Sequence, residues 1–146
     1  MKQALPLREI ALVALGGALG AVARYALSLA LPVGDGIPVA TLTANLAGAF
    51  FLGLITFWLA ARGTDAGGRR NARLFLGTGV LGGFTTYSLL AVELGEFILA
   101  QQWSLVALYA ATTIIGGAGA SLLGMISGNA LGARDAQSST QGADHA

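Results

Sequence analysis

Four long apolar segments, separated by short polar connections, dominate the chain. Each is longer than the roughly 20 apolar residues that a helix needs to cross a bilayer. They are Glu9–Leu31, Pro38–Ala61, Ala72–Ala100 and Trp103–Asn129. The residues after the fourth segment are polar and rich in Ser, Gln and Ala, a composition typical of disorder. The pattern predicts an all-α membrane protein, with one four-helix transmembrane domain over residues 1–130 and a disordered tail over residues 131–146.

The third segment contains a stretch with low helix propensity. Gly79–Leu90 reads Gly-Val-Leu-Gly-Gly-Phe-Thr-Thr-Tyr-Ser-Leu-Leu, and glycine costs a helix about 1 kcal/mol relative to alanine. A broken helix frees backbone N–H and C=O groups, and membrane proteins use such groups to hold ions. We therefore predict a broken third helix around an ion site. The alternative is that Gly82 and Gly83 only let another helix pack closely.

Composition and charge narrow the class of protein. Only 10% of the residues are charged and 55% are hydrophobic, whereas a soluble domain carries about 25% charged residues. The chain has no cysteine, which excludes disulfides and thiolate metal sites. The spans contain no nucleophile–base pair, phosphate-binding loop or metal-ligand cluster. We therefore expect neither an enzyme nor a protein that binds nucleic acid.

Basic residues flank one side of the predicted four-helix path. They are Lys2, Arg8, Arg62, Arg69, Arg70, Arg73 and Arg134. By the positive-inside rule, both termini face the cytoplasm of a multi-pass protein in the plasma (inner) membrane. Because four spans alone enclose little around an ion path, we also expect an oligomer.

Several polar side chains fall inside the apolar segments. A charged side chain at the depth of Arg24 costs free energy and therefore suggests a function. The alternative is that its long side chain only reaches the membrane–water interface. Thr41 and Asn45 lie on one helix face, where an asparagine can serve an ion or only bond a neighbouring helix. Tyr109 and Thr113 share a face of the fourth segment, but such hydroxyls often bond back to their own helix.

Three motifs follow one another at fixed separations along the chain. Residues 16–25 read Gly-Gly-Ala-Leu-Gly-Ala-Val-Ala-Arg-Tyr, and residues 41–48 read Thr-Leu-Thr-Ala-Asn-Leu-Ala-Gly. The third motif begins at Gly79 and ends in Gly-Gly-Phe-Thr-Thr-Tyr-Ser. Together with the length, the four spans and the broken third helix, these motifs resemble the Fluc/CrcB fluoride channel family over nearly the whole chain except the tail.

The resemblance implies an antiparallel dual-topology dimer with two fluoride pores, which exports cytoplasmic fluoride passively and so relieves fluoride toxicity. It implies a structural sodium ion (Na+) at the dimer centre, bound by the backbone carbonyls of Gly82 and Thr85. It places Arg24 and Glu93 in the vestibules and makes membrane lipid the surroundings of the dimer. The pore residues that it implies are Asn45, Thr41, Tyr87, Leu90, Ser88, Tyr109 and Thr113.

Two features depart from the family pattern. The family usually places two phenylalanines on the third helix, whose positive ring edges face the anion, whereas this chain has Tyr87 and Leu90 there. Leu90 has no ring, so the pore that it faces should be weakened or lost. A subunit that inserts both ways should also have balanced basic flanks. These departures raise a second hypothesis, in which the chain is the non-conducting half of a heterodimer with an oppositely oriented paralogue.

Two other functions suit a small four-helix membrane protein. A proton-coupled exporter of the small multidrug type needs a carboxylate at mid-membrane early in the chain, but the first segment offers only Glu9 at its edge, and Glu93 comes late. A structural assembly protein would use its glycines and Asn45 only for packing. Asn45→Asp separates these hypotheses, because it should abolish fluoride flux through a channel and leave a packing protein assembled.

Overall fold

The computed structural model describes residues 6–31 and 36–143, with side chains up to Arg134. Within these residues all regular structure is helical. Four helical stretches are long and apolar enough to cross a membrane, and we call them the first to fourth spans: Leu7–Ala30, Val39–Ala61, Gly67–Leu99 and Trp103–Arg134. The prediction of an all-α, multi-pass membrane protein is confirmed. Lys2 and residues 144–146 lie outside the described residues.

The first and second spans are uninterrupted helices. Each begins directly after a proline, Pro6 for the first and Pro38 for the second. Proline suits this position because the N–H group that it lacks would have no partner in the first turn. Both helices agree closely with the predicted segments.

The third span is broken, as predicted. Its helical parts are Gly67–Ala72, Arg73–Leu81 with wider π-helical turns, Gly82–Phe84 and Tyr87–Leu99. Between them Thr85 and Thr86 are extended, with φ/ψ of −77°/158° and −150°/122°. The break therefore lies at the two threonines and not at the glycine pair before them. Extended backbone suits threonine, because its branched Cβ fits a strand-like conformation well.

The glycines of the first and third spans form a close contact, which we call the glycine seam (Gly16, Gly20, Gly79 and Gly83). A Cβ added at Gly16 would lie 3.0 Å from the Cα of Gly79. A Cβ added at Gly83 would overlap the carbonyl oxygen of Gly17, whereas one added at Gly82 would meet nothing. Close packing thus explains Gly83, and Gly82 faces open space.

The second and fourth spans pack together in the same way. A Cβ added at Gly124 would overlap the carbonyl oxygen of Phe50, and one at Gly128 would overlap that of Leu54. Few side chains are fully buried, and Tyr109 is the large one, with no exposed area. Most of the apolar surface therefore faces outward, as a protein surrounded by lipid requires.

The fourth helix runs from Trp103 to Ala143, past the end of its predicted segment. Residues 131–143 are thus helical where the sequence predicts a disordered tail. Extending an existing helix needs no new nucleus, and the Ala, Arg and Gln residues in this stretch are good helix formers.

Candidate functional site

The break in the third span is held by a side chain of the second span. The Asn45 Nδ2 atom donates to the Thr86 carbonyl oxygen at 3.0 Å, and the Thr86 N–H donates to Asn45 Oδ1 at 2.8 Å. One amide side chain thus satisfies both polar groups of an extended residue. This matters at membrane depth, where an unpaired backbone group is costly.

Thr86 also begins the helix that follows the break. Its Oγ1 accepts from the Leu89 N–H at 3.2 Å and lies 3.2 Å from the Ser88 hydroxyl oxygen. Ser88, predicted as a pore residue, therefore supports the helix start. Thr86 was not among the predicted site residues. The sequence does contain a signal for its role, because a threonine directly before a helical segment is a common N-cap.

Arg24 reaches the break from the first span. Its Nε donates to the Gly83 carbonyl oxygen at 3.3 Å. The side chain also lines a cavity of about 330 Å³, together with Tyr25, Thr41 and Leu89. Arg24 therefore points toward the third span and this cavity, rather than only toward the membrane surface.

Glu93 joins three spans in one polar cluster. The Thr41 hydroxyl donates to Glu93 Oε1 and the Tyr109 hydroxyl donates to Glu93 Oε2, each at 2.6 Å. Thr41 and Tyr109 are both buried, and the Phe97 ring packs edge-on against Tyr109. Sequence spacing does not reveal this cluster, because its members lie on three different helices.

A second cavity, of about 270 Å³ and wide open to the outside, lies beside the break. It is lined by Asn45, Thr85, Thr86, Tyr87, Leu90 and Thr113. Tyr87 is 82% exposed, whereas Leu90 is 8% exposed. The Thr113 hydroxyl donates to the Tyr109 carbonyl of its own helix. The predicted pore residues thus form two groups, one around this cavity and one around Glu93, with Ser88 adjoining the first through Thr86.

A groove of about 600 Å³ also opens beside the break. Gly82 and Thr85 line it together with Asn45 and Leu52. The described residues contain no group of three or more His, Cys, Asp or Glu side chains that would hold a metal ion. The polar side chains that line this groove are those of Asn45, Thr56, Thr78, Thr85 and Arg73, so the oxygens that it offers a cation are neutral ones from amide, hydroxyl and backbone groups.

Comparison with known proteins identifies the relatives of this chain. A family model described as CrcB-like protein, Camphor Resistance (CrcB), matches residues 11–125. The chain belongs to the CrcB family. The matched range includes all the predicted site residues, from Arg24 to Thr113.

Individual CrcB relatives agree with this assignment. Fluoride-specific ion channel FluC 2 of Leifsonia xyli subsp. xyli is 51% identical over 127 residues, covering 87% of this chain and 88% of the relative. Fluoride-specific ion channel FluC 1 of Cutibacterium acnes is 46% identical over 110 residues, covering 75% and 77%. Fluoride-specific ion channel FluC of Pyrococcus furiosus is 49% identical over 90 residues, covering 60% and 68%.

The arginine-rich end of this CrcB chain is tied together by ion pairs. Arg70 contacts Glu9 at 3.0 Å and so links the third span to the first. Arg73 contacts Asp65 at 2.7 Å, across the connection between the second and third spans. The hydrogen bond from Arg73 lowers the pKa of the Asp65 carboxyl, which stays ionised at neutral pH.

Proposed function

We propose that the protein is a fluoride-selective channel that lets fluoride leave the cytoplasm passively and so relieves fluoride toxicity. The observation that carries this proposal is the open pocket lined by Asn45, Tyr87 and Thr113 beside the helix break. Membership in the CrcB family, with relatives named as fluoride-specific ion channels, supports it. The same relationship confirms the expectation that the chain is not an enzyme.

The donors around the cavity suit the chemistry of fluoride. This ion is small and strongly hydrated, so a selective path must replace water with close hydrogen-bond donors. The Asn45 amide nitrogen carries two hydrogens, and only one is used in the bond to Thr86. The other N–H can donate to an anion without a fixed positive charge, which helps a site both to bind and to release the ion.

Glu93 competes with fluoride for two of the hydroxyl donors on the proposed path. The hydroxyls of Thr41 and Tyr109 both donate to its carboxylate. A hydroxyl has one hydrogen to donate, so an anion at either hydroxyl must take that bond from Glu93. Arg24, in the adjoining cavity, raises the local concentration of anions.

The active unit in this proposal is an antiparallel dimer in the plasma membrane. The groove at Gly82 and Thr85 is open in the single chain, and irregular backbone at membrane depth needs protein or water beside it. A second copy would cover the groove. The carbonyls of Gly82 and Thr85 from two copies would give four neutral oxygens for a sodium ion, which would hold the two breaks together.

The partner in the dimer is a second copy of this chain or an oppositely oriented paralogue. Leu90 lines the cavity beside the break but offers no positive ring edge to an anion. In a homodimer both pores would lack the ring edge at this position, whereas in a heterodimer the paralogue would supply an aromatic residue there.

Fluoride efflux from liposomes that contain only the purified chain tests the proposal. We expect fast efflux of fluoride and none of chloride, measured with ion-selective electrodes. Leu90→Phe should increase fluoride efflux, because it supplies a ring edge beside the cavity. A folded chain that conducts nothing, with or without this substitution, would contradict a homodimeric channel. Efflux only after a paralogue is added would establish the heterodimer.

A further inference from the structure

The two carbonyls at the proposed cation site have lost their helical partners for specific reasons. In a continuous α-helix the Gly82 carbonyl would accept from the Thr86 N–H, and the Thr85 carbonyl would accept from the Leu89 N–H. Here the Thr86 N–H donates to Asn45 Oδ1, and the Leu89 N–H donates to Thr86 Oγ1. Two side-chain oxygens therefore divert the two N–H groups that would otherwise bond these carbonyls.

The bond between Asn45 and Thr86 is what opposes closure of the break. A buried N–H without an acceptor costs about 1–3 kcal/mol. If Asn45 offered no oxygen, the Thr86 N–H would have to find another acceptor, and the Gly82 carbonyl is the one that ordinary helix geometry provides. The Arg24 bond to the Gly83 carbonyl does not replace Asn45, because it leaves the Thr86 N–H unpaired.

We propose that Asn45 is a positioning residue for the cation site: its Oδ1 holds the Thr86 N–H and so keeps the Gly82 carbonyl available to sodium. Thr86 Oγ1 does the same for the Thr85 carbonyl by holding the Leu89 N–H. This inference rests on the proposed sodium site and adds the side chains that prepare it. It also connects cation and anion, because the remaining N–H of Asn45 belongs to the fluoride path.

Four variants separate positioning from anion binding. Asn45→Leu removes the acceptor and the donor, whereas Asn45→Asp keeps an oxygen that accepts from the Thr86 N–H and has no N–H to donate. Thr86→Ala removes the acceptor for the Leu89 N–H. Thr113→Val is the matched control, because it removes a hydroxyl beside the same cavity without touching the bonds at the break.

The measurement is the thermal midpoint of the purified protein in detergent, titrated with sodium chloride and compared with potassium chloride at equal ionic strength. The wild-type midpoint should rise with sodium. Asn45→Leu and Thr86→Ala should raise the sodium concentration for half of this effect by at least about tenfold, which corresponds to about 1.4 kcal/mol of binding free energy. Asn45→Asp should keep the sodium response and lose fluoride efflux, and Thr113→Val should keep the sodium response.

The possible results distinguish the sodium site from the positioning role of Asn45. A wild-type protein that responds equally to the two salts contradicts the sodium site and the inference with it, while the efflux assay still tests the channel. A sodium response that persists in both Asn45→Leu and Thr86→Ala overturns the positioning role alone. If Asn45→Leu does not fold, Asn45→Ala replaces it, because it removes the same acceptor, and an unchanged sodium response in that variant rejects the proposal.

Discussion

Glu93 shows how a membrane protein can keep a carboxylate between its helices. Both of its oxygens accept from a hydroxyl, one on the second span and one on the fourth. Hydrogen bonds to a charged group are roughly twice as strong as neutral ones. The cluster therefore offsets part of the cost of removing Glu93 from water and joins three spans at one point.

Removal of one hydroxyl tests the strength of this cluster. Tyr109→Phe keeps the buried ring and deletes its bond to Glu93, so we expect it to lower the free energy of unfolding by about 1.5–3 kcal/mol. Equilibrium unfolding in detergent measures the change. Tyr25→Phe is the control, because that side chain is 64% exposed on the first span. An equal effect of both substitutions would show that the bond to Glu93 contributes nothing.

At the scale of single residues, the sequence predicts candidate side chains but not what they contact. Asn45, Thr41 and Tyr109 were identified from polar character within apolar segments and from the family resemblance. Their partners lie 41, 52 and 16 residues away, and no periodicity within one helix predicts such pairs. The sequence does not single out Thr86, because a threonine beside a helix break has several possible roles.

At the scale of helices, the third span contains the main departure from regular structure. The glycine pair indicated correctly that this span is broken, but the extended residues are Thr85 and Thr86. Sequence alone could not separate a glycine that ends a helix from one that packs against a neighbour. That distinction depends on Gly17, which lies opposite Gly83.

Gly20→Ala tests the packing of the first span on the third. Its added Cβ would overlap the Val80 carbonyl oxygen and lie 2.8 Å from the Phe84 nitrogen. Because these are backbone atoms, the helices must separate, and we expect a loss of about 1–3 kcal/mol or more in unfolding free energy.

Gly117→Ala is the matched control for that substitution. It also lies within a helix, and its added Cβ meets nothing. Alanine is the better helix former by about 1 kcal/mol, so the control should be neutral or stabilising. Equal losses at the two positions would mean that close packing at Gly20 is not what stabilises the pair of helices.

At the scale of the whole molecule, the surface of the single chain is open around the break. The groove at the break is open, and Tyr87 at the rim of the neighbouring cavity is 82% exposed. Four spans were evident from hydropathy. The way in which chains assemble was not, because a lipid-facing helix and a partner-facing helix have similar apolar compositions.

Labelling from the two sides of the membrane tests the assembly. The chain has no cysteine, so Gly68→Cys and Gln102→Cys each introduce one thiol at an exposed position, one near the start of the third span and one in the connection that follows its end. An antiparallel homodimer requires both orientations, and we expect an impermeant maleimide to label each variant from both sides. Labelling of Gly68→Cys only from the cytoplasm would instead show one fixed orientation, as a heterodimer requires.

The glycine seam has a further consequence for a protein that must not leak. With Gly16 and Gly79 backbones in contact, neither a water file nor a lipid chain fits between the first span and the first half of the third. The contact consists of backbone atoms, so no side-chain rotation can open a gap between the two helices. An ion path is thereby excluded from the Gly16–Gly79 contact itself, and the cavities beside the break lie elsewhere, at Arg24 and at Asn45.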